Sequence, residues 1–93
     1  MTRTACIAEQ RREDRAAASG VVRFVLEGTE PVEFQGRLVD CSKGGFRSSH
    51  THASLSTGQQ VRFASRFGEG HALVMWNRIL EQRMESGFLI LDQ

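Results

Sequence analysis

The chain has 93 residues, a formal net charge of +1, 40% hydrophobic residues and 25% charged residues. That length supports a single domain with one core and excludes two. The near-neutral balance excludes a domain that holds a nucleic-acid polymer mainly through its phosphates, because such domains carry a strong basic excess.

Residues 1–19 read as a flexible arm. Met1 to Ala8 is weakly apolar and uncapped, so it frays. Ala8 to Ala18 is helix-permissive in composition, yet no apolar stripe would hold a helix against a core. Ser19-Gly20 then breaks the segment. Within it Arg11, Arg12 and Arg15 are interleaved with Glu9, Glu13 and Asp14, which is not a polycationic tail. The N-terminus shows no apolar signal region and no run approaches a membrane span, which reads as a soluble, cytoplasmic protein. Cys6 and Cys41 lie far apart, with no Cys-x-x-Cys and no matching histidine pair, so neither a zinc site nor, without a sign of secretion, a disulfide is expected.

Residues 20–93 alternate like short strands. Val21 to Glu27 sets Val22, Phe24 and Leu26 on one face, and Gly28-Thr29-Glu30-Pro31 supplies a turn. Val32 to Cys41 follows, with Phe34, Gly36 and Leu38 sharing a face and Gly36 marking a bend or bulge. Gly44 to Ser49 forms a short third strand anchored by Phe46. His50 to Thr57 is a polar connection plugged by Leu55. His50 and His52 read as solvated loop residues, since no third metal ligand accompanies them.

Gly58 opens a fourth strand in which Val61, Phe63, Ser65 and Phe67 alternate with polar residues, and Gly68-Glu69-Gly70 reads as a hairpin loop. The fifth strand, His71 to about Arg78, has Ala72, Val74 and Trp76 on one face and Leu73 and Met75 on the other. This suggests a central or covered position. Trp76 either stacks on a ligand or fills the interior, and its companions Ala72 and Val74 favour the interior. Leu80 to Ser86 reads as a charged loop and Gly87 to Leu91 as a buried closing strand. Six short, glycine-punctuated strands with almost no helix pattern predict an all-β fold, a six-stranded antiparallel barrel.

Between the second and third strands stands Asp40-Cys41-Ser42-Lys43-Gly44-Gly45. A carboxylate, a hydroxyl two residues on and paired glycines make a compact polar corner, because Asp and Ser bond back to nearby amides and glycine tolerates positive φ. With the upstream Arg11-Arg12-Glu13-Asp14-Arg15, this order of motifs resembles the PilZ domain family, whose signature is Arg-x-x-x-Arg followed by Asp/Asn-x-Ser-x-x-Gly. The resemblance extends to Leu55–Val61, to Val74-Met75-Trp76 and to Gly87-Phe88, covering about Arg11 to Leu91.

The resemblance implies a six-stranded barrel that binds cyclic di-GMP, a bacterial second messenger. Many members finish with a helix packed on the barrel, for which this sequence leaves no room. By resemblance, Arg11 and Arg15 clamp the ligand with Arg12 as a third contact, and Asp40, Ser42 and Gly45 complete the site. The chemistry fits. A guanidinium matches guanine O6 and N7 or a phosphate bidentately. A carboxylate accepts from guanine N1–H and N2–H₂, and glycine lets a ligand approach the backbone. Glu13 and Asp14, between the arginines, must point away from a phosphate.

The expected function is therefore a cyclic di-GMP receptor whose arm, Glu9 to Ser19, orders on binding and passes the signal to a protein partner. The alternative is a PilZ-like adaptor acting through protein contacts without nucleotide. A single-stranded nucleic-acid binder ranks third, because Tyr is absent and most Phe residues fall at core positions. No nucleophile–base–orienter set is legible, so neither catalysis nor a metal or resident cofactor is expected.

Overall fold

The computed structural model describes residues 16–91. It contains β1 (Ala16–Ala17), β2 (Val21–Leu26), β3 (Val32–Cys41), β4 (Gly45–His50), β5 (Gln60–Ser65), β6 (Gly68–Ile79) and β7 (Met84–Ile90). The last six close into an antiparallel barrel in the order β2–β5–β6–β7–β4–β3, with β3 returning to β2. The six strands expected from the alternation are β2 to β7. No helix long and apolar enough to cross a membrane occurs among the described residues.

The barrel interior is an aromatic column. Phe34 stacks on Phe24 at 4.9 Å, Phe24 on Phe88 at 4.9 Å and Phe88 on Phe46 at 4.9 Å. Phe46 then meets Phe63 at 5.1 Å and Phe67 at 5.8 Å, so all six phenylalanines of the chain are linked. Each such pair contributes about 0.5–1.5 kcal/mol beyond the area it buries. Val22, Leu38, Val61, Ala72, Val74 and Ile90 fill the space around the rings, and Leu55 plugs inward from its connection. These are the faces that the period-2 pattern selects.

Three boundaries differ from the sequence reading. The β5–β6 hairpin turns at Arg66-Phe67, ahead of the expected Gly68-Glu69-Gly70 loop. Phe67 packs on the core there, and its N–H donates to Ser65 Oγ at 3.2 Å. The expected charged loop Leu80–Ser86 is shorter, because Met84, Glu85 and Ser86 already pair with His50, Ser49 and Ser48 of β4. The third difference is in the arm. Ala16 and Ala17 pair with Cys41 and Asp40 of β3, and Ala18 N–H donates to Val39 O at 3.2 Å. The rest of the arm lies outside the described residues. Cys41 is buried and is not a free thiol, which corrects the expectation for that residue; Cys6 lies outside the described residues.

Two glycines are set by close approach rather than by positive φ. A Cβ on Gly36 would collide with the Ser49 carbonyl oxygen, and one on Gly45 with that of Phe88. Backbone cannot yield as a side-chain tip does. Gly44, one residue away, has nothing within 4 Å of its Cβ position. Chemical denaturation should therefore separate neighbours: Gly45→Ala should cost about 1–3 kcal/mol, and Gly44→Ala should stay within about 0.5 kcal/mol. Equal losses would contradict this packing.

Candidate functional site

The hairpin β3–β4 is symmetric about Lys43-Gly44. Ser42 N–H donates to Gly45 O at 2.8 Å, Cys41 pairs with Phe46, and Asp40 pairs with Arg47. Counting inward residues from Gly36 and Leu38 would put Asp40 inside the barrel. A β-bulge between Leu38 and Asp40 inserts one residue and turns Asp40 to the outer side. A second bulge, between Val74 and Trp76, does the same on β6 and brings Trp76 opposite Gly87. Trp76 is 36% exposed, which corrects its expected interior position; Met75 at 50% corrects the expected covered face, and the exposed Leu89 and Leu91 correct the closing strand expected to be buried throughout.

Between these features lies a groove of about 620 Å³ lined by Ser42, Lys43, Gly45, Met75, Trp76 and Leu89, with Gly44, Phe46, Gly87 and Phe88. The Trp76 indole occupies the space where Gly87 would otherwise carry a Cβ, so that glycine seats the ring. The Arg78 guanidinium lies 5.7 Å from the Trp76 ring centroid, within cation–π range. Of the expected site residues, Ser42 and Gly45 line the groove, whereas Asp40 does not and instead pairs with Arg47 on β4. Arg11, Arg12 and Arg15 lie outside the described residues. The close approach of Phe88 to Gly45 gives that glycine a packing role besides any ligand contact.

Asp40 is not simply presented to solvent. Arg47 Nε donates to Asp40 Oδ2 at 2.9 Å and Arg47 Nη2 donates to the same oxygen, leaving Asp40 6% exposed. Arg47 Nη1 also lies 3.8 Å from Glu85 Oε1, and Arg78 Nη2 donates to that oxygen at 2.5 Å. The hydrogen bond to Asp40 and the charges of Asp40 and Glu85 hold the Arg47 proton more tightly than usual, against the opposing effect of burial. Asp40, Arg47, Glu85 and Arg78 thus form one row across β3, β4, β7 and β6. Sequence reading missed the last three, having taken Glu85 for a loop residue.

A second groove, about 570 Å³, lies on the outer side of β2, β5 and β6 and mixes Arg23, Arg62 and His71 with Glu33 and Glu69. It contains none of the motif residues.

His50 is 3% exposed, which corrects its reading as a solvated loop residue. Its Nδ1 accepts the His52 N–H at 3.1 Å, which leaves Nε2 to donate to Ser86 Oγ at 2.7 Å. Ser86 Oγ donates to Asn77 Oδ1, and Asn77 Nδ2 donates to Leu55 O at 3.0 Å. The chain of bonds ties the 51–59 connection to β6 and β7. It is a Ser–His contact in form, but Ser86 is fully buried and the His50 Nδ1 is taken by the His52 N–H. Among the described residues no group of three or more potential metal ligands occurs.

No family model matches the chain, and no curated protein matches it.

Burial, and then the neighbouring His52 charge, lower the His50 pKa below its ordinary 6.5. The unfolded chain therefore binds the proton more readily, so stability is full above about pH 6.5 and falls as pH drops from there toward the folded value. Denaturation midpoints measured from pH 8 to 5 should decline in this window, and His50→Gln should flatten part of the decline. Parallel wild-type and variant profiles would remove His50 as the cause.

Proposed function

We propose that the chain is a PilZ-type receptor for cyclic di-GMP, acting in a bacterial cytoplasm and relaying its signal to another protein. One observation carries this reading. Ala16, covalently joined to Arg15, pairs with Cys41, and Ala17 pairs with Asp40. The segment directly after Arg-x-x-x-Arg is thus a strand partner of the segment that opens Asp-x-Ser-x-x-Gly. The groove beside the turn supports the reading further, with an apolar wall (Trp76, Met75, Leu89) for a purine and Ser42 and Lys43 as polar groups at its rim. Arg11 and Arg15 supply guanidinium forks for guanine edges and phosphates, with Arg12 as an auxiliary contact.

Asp40 accepts from a guanine Watson–Crick edge only by sharing its carboxylate with Arg47 or by releasing Arg47. Asp40→Ala is consequently a poor test of binding alone, because it also strips a part-buried guanidinium of its main partner. The ordering proposed for the arm, Glu9 to Ser19, includes Ala16–Ala18, which pair with β3; the residues before Ala16 lie outside the described residues.

The adaptor reading is favoured by a different observation, the exposed Met75, Trp76, Ile79, Leu89 and Leu91 on and beside β6 and β7. It predicts no heat of nucleotide binding.

Titration calorimetry with cyclic di-GMP should show saturable binding to the wild type. Arg15→Ala removes a charge-assisted bond worth about 1.5–3 kcal/mol and should weaken binding about 10- to 100-fold. Binding undiminished in Arg15→Ala would sink the site assignment, and its absence in the wild type would favour the adaptor.

Cyclic di-AMP should bind far more weakly. Adenine presents an acceptor at N1 where guanine presents N1–H, so the Asp40 carboxylate would be left facing another acceptor. Equal affinities of the two nucleotides in competition would rule out this role for Asp40.

A further inference from the structure

We infer that Arg47 and Glu85 form a relay coupling the Asp40 corner to the Arg78–Trp76 edge of β6. This deepens the receptor reading and rests on it for the identity of the ligand, although the relay itself is made of the chain's own side chains.

Arg47 is the movable part. It is bonded to Asp40 through Nε and Nη2, while its remaining nitrogen lies 3.8 Å from Glu85 Oε1, beyond hydrogen-bond length but within ion-pair reach. Asp40 is met by the Nε and Nη2 atoms of this guanidinium and Glu85 is approached by its Nη1, so a second position closer to Glu85 is within its reach. Glu85, in turn, is the hinge of the row. Its side chain is only 9% exposed, and the oxygen that faces Arg47 is the same Oε1 that accepts from Arg78 Nη2 at 2.5 Å. One acceptor shared by two guanidiniums links their positions. When a ligand group draws Asp40 away from Arg47, Arg47 closes on Glu85, whose carboxylate then divides its charge between two guanidiniums, and its bond to Arg78 weakens. Arg78 has 55% of its side chain exposed, so it loosens at little cost and leaves its place over the Trp76 ring. The row crosses four strands, β3, β4, β7 and β6, each hydrogen-bonded to the next, so the surrounding backbone need not move.

Arg47 is accordingly a positioning residue for Asp40, and Arg78 with Trp76 is the exposed edge at which occupancy is read. Coupling requires an element with two arrangements that both ends bias. The shared Glu85 oxygen supplies it.

The ligand-free test is a double-mutant cycle on the full chain. Asp40→Asn and Arg78→Met do not touch each other's side chains, yet their effects on the unfolding equilibrium constant should be non-additive by about threefold or more. The coupling should vanish when the cycle is repeated in Glu85→Gln. Additivity in the wild-type background, or coupling that survives Glu85→Gln, overturns the relay.

The ligand arm tracks the Arg78 Nε–Hε resonance during titration with cyclic di-GMP. A shift in the wild type that is lost in Glu85→Gln, with calorimetric binding retained, supports the relay. Binding without any Arg78 shift overturns it while leaving the receptor reading intact. Absence of binding instead sinks the receptor reading, and the ligand-free cycle then decides the relay alone.

Discussion

The column of six phenylalanines is the packing on which the rest of the barrel depends. Phe24, Phe34, Phe46, Phe63 and Phe88 set which face of β2, β3, β4, β5 and β7 is inside at those positions, and Phe67 joins them from the β5–β6 turn. Such a column leaves little room for error in register. A one-residue slip of β4 against β7 would carry Arg47 inward and Phe46 outward, exchanging a stacked ring for a buried charge. The close approaches at Gly36 and Gly45 belong to the same wall, where a Cβ would meet the carbonyl oxygen of Ser49 or of Phe88 on the neighbouring strand.

Against that fixed interior, the two bulges decide where chemistry sits. Val39 and Met75 are the inserted residues, and each reverses the alternation for the later residues of its strand. Asp40 and Trp76 would otherwise point into the phenylalanines. Instead they reach the outer face on either side of the β4–β7 pair, with the Ser42–Gly45 turn and Leu89 between them. Placing an irregularity at each end of one outer row is how an otherwise regular barrel collects polar and aromatic groups without disturbing its core.

The strands and their inward faces were legible because a half-buried strand writes itself as strict alternation, as in Val22/Phe24 and Val61/Phe63. Trp76 was misread for the same reason, since alternation carries no mark of a bulge. His50 and Glu85 were misread because polarity stands for exposure only until a partner is known. Ser86 satisfies the first, and Arg47 and Arg78 satisfy the second from strands distant in sequence. Arg47 itself was within reach. A hairpin closing on Ser42 and Gly45 pairs 41 with 46 and 40 with 47, so the partner of Asp40 can be deduced from the turn alone.

Why the outer row should be ionic at all is a question of energy. Burying Asp40 and Glu85 costs several kcal/mol of hydration per carboxylate, and well-packed apolar groups of similar size would serve stability as well or better. The cost is reduced because the cations stay wetter than the anions they serve: Arg47 is 31% and Arg78 55% exposed, against 9% for either carboxylate. What ionic groups add is discrimination. Two bulged strands in one barrel admit alternative pairings with their neighbours, and apolar side chains would tolerate several of them. A buried carboxylate needs a donor across from it, and the registers that follow the β3 and β6 bulges supply Arg47 to Asp40 and Arg78 to Glu85. The interior aromatics therefore set the inner face of the strands that carry them, and the exterior ion pairs match the registers that follow the two irregular residues, Val39 and Met75.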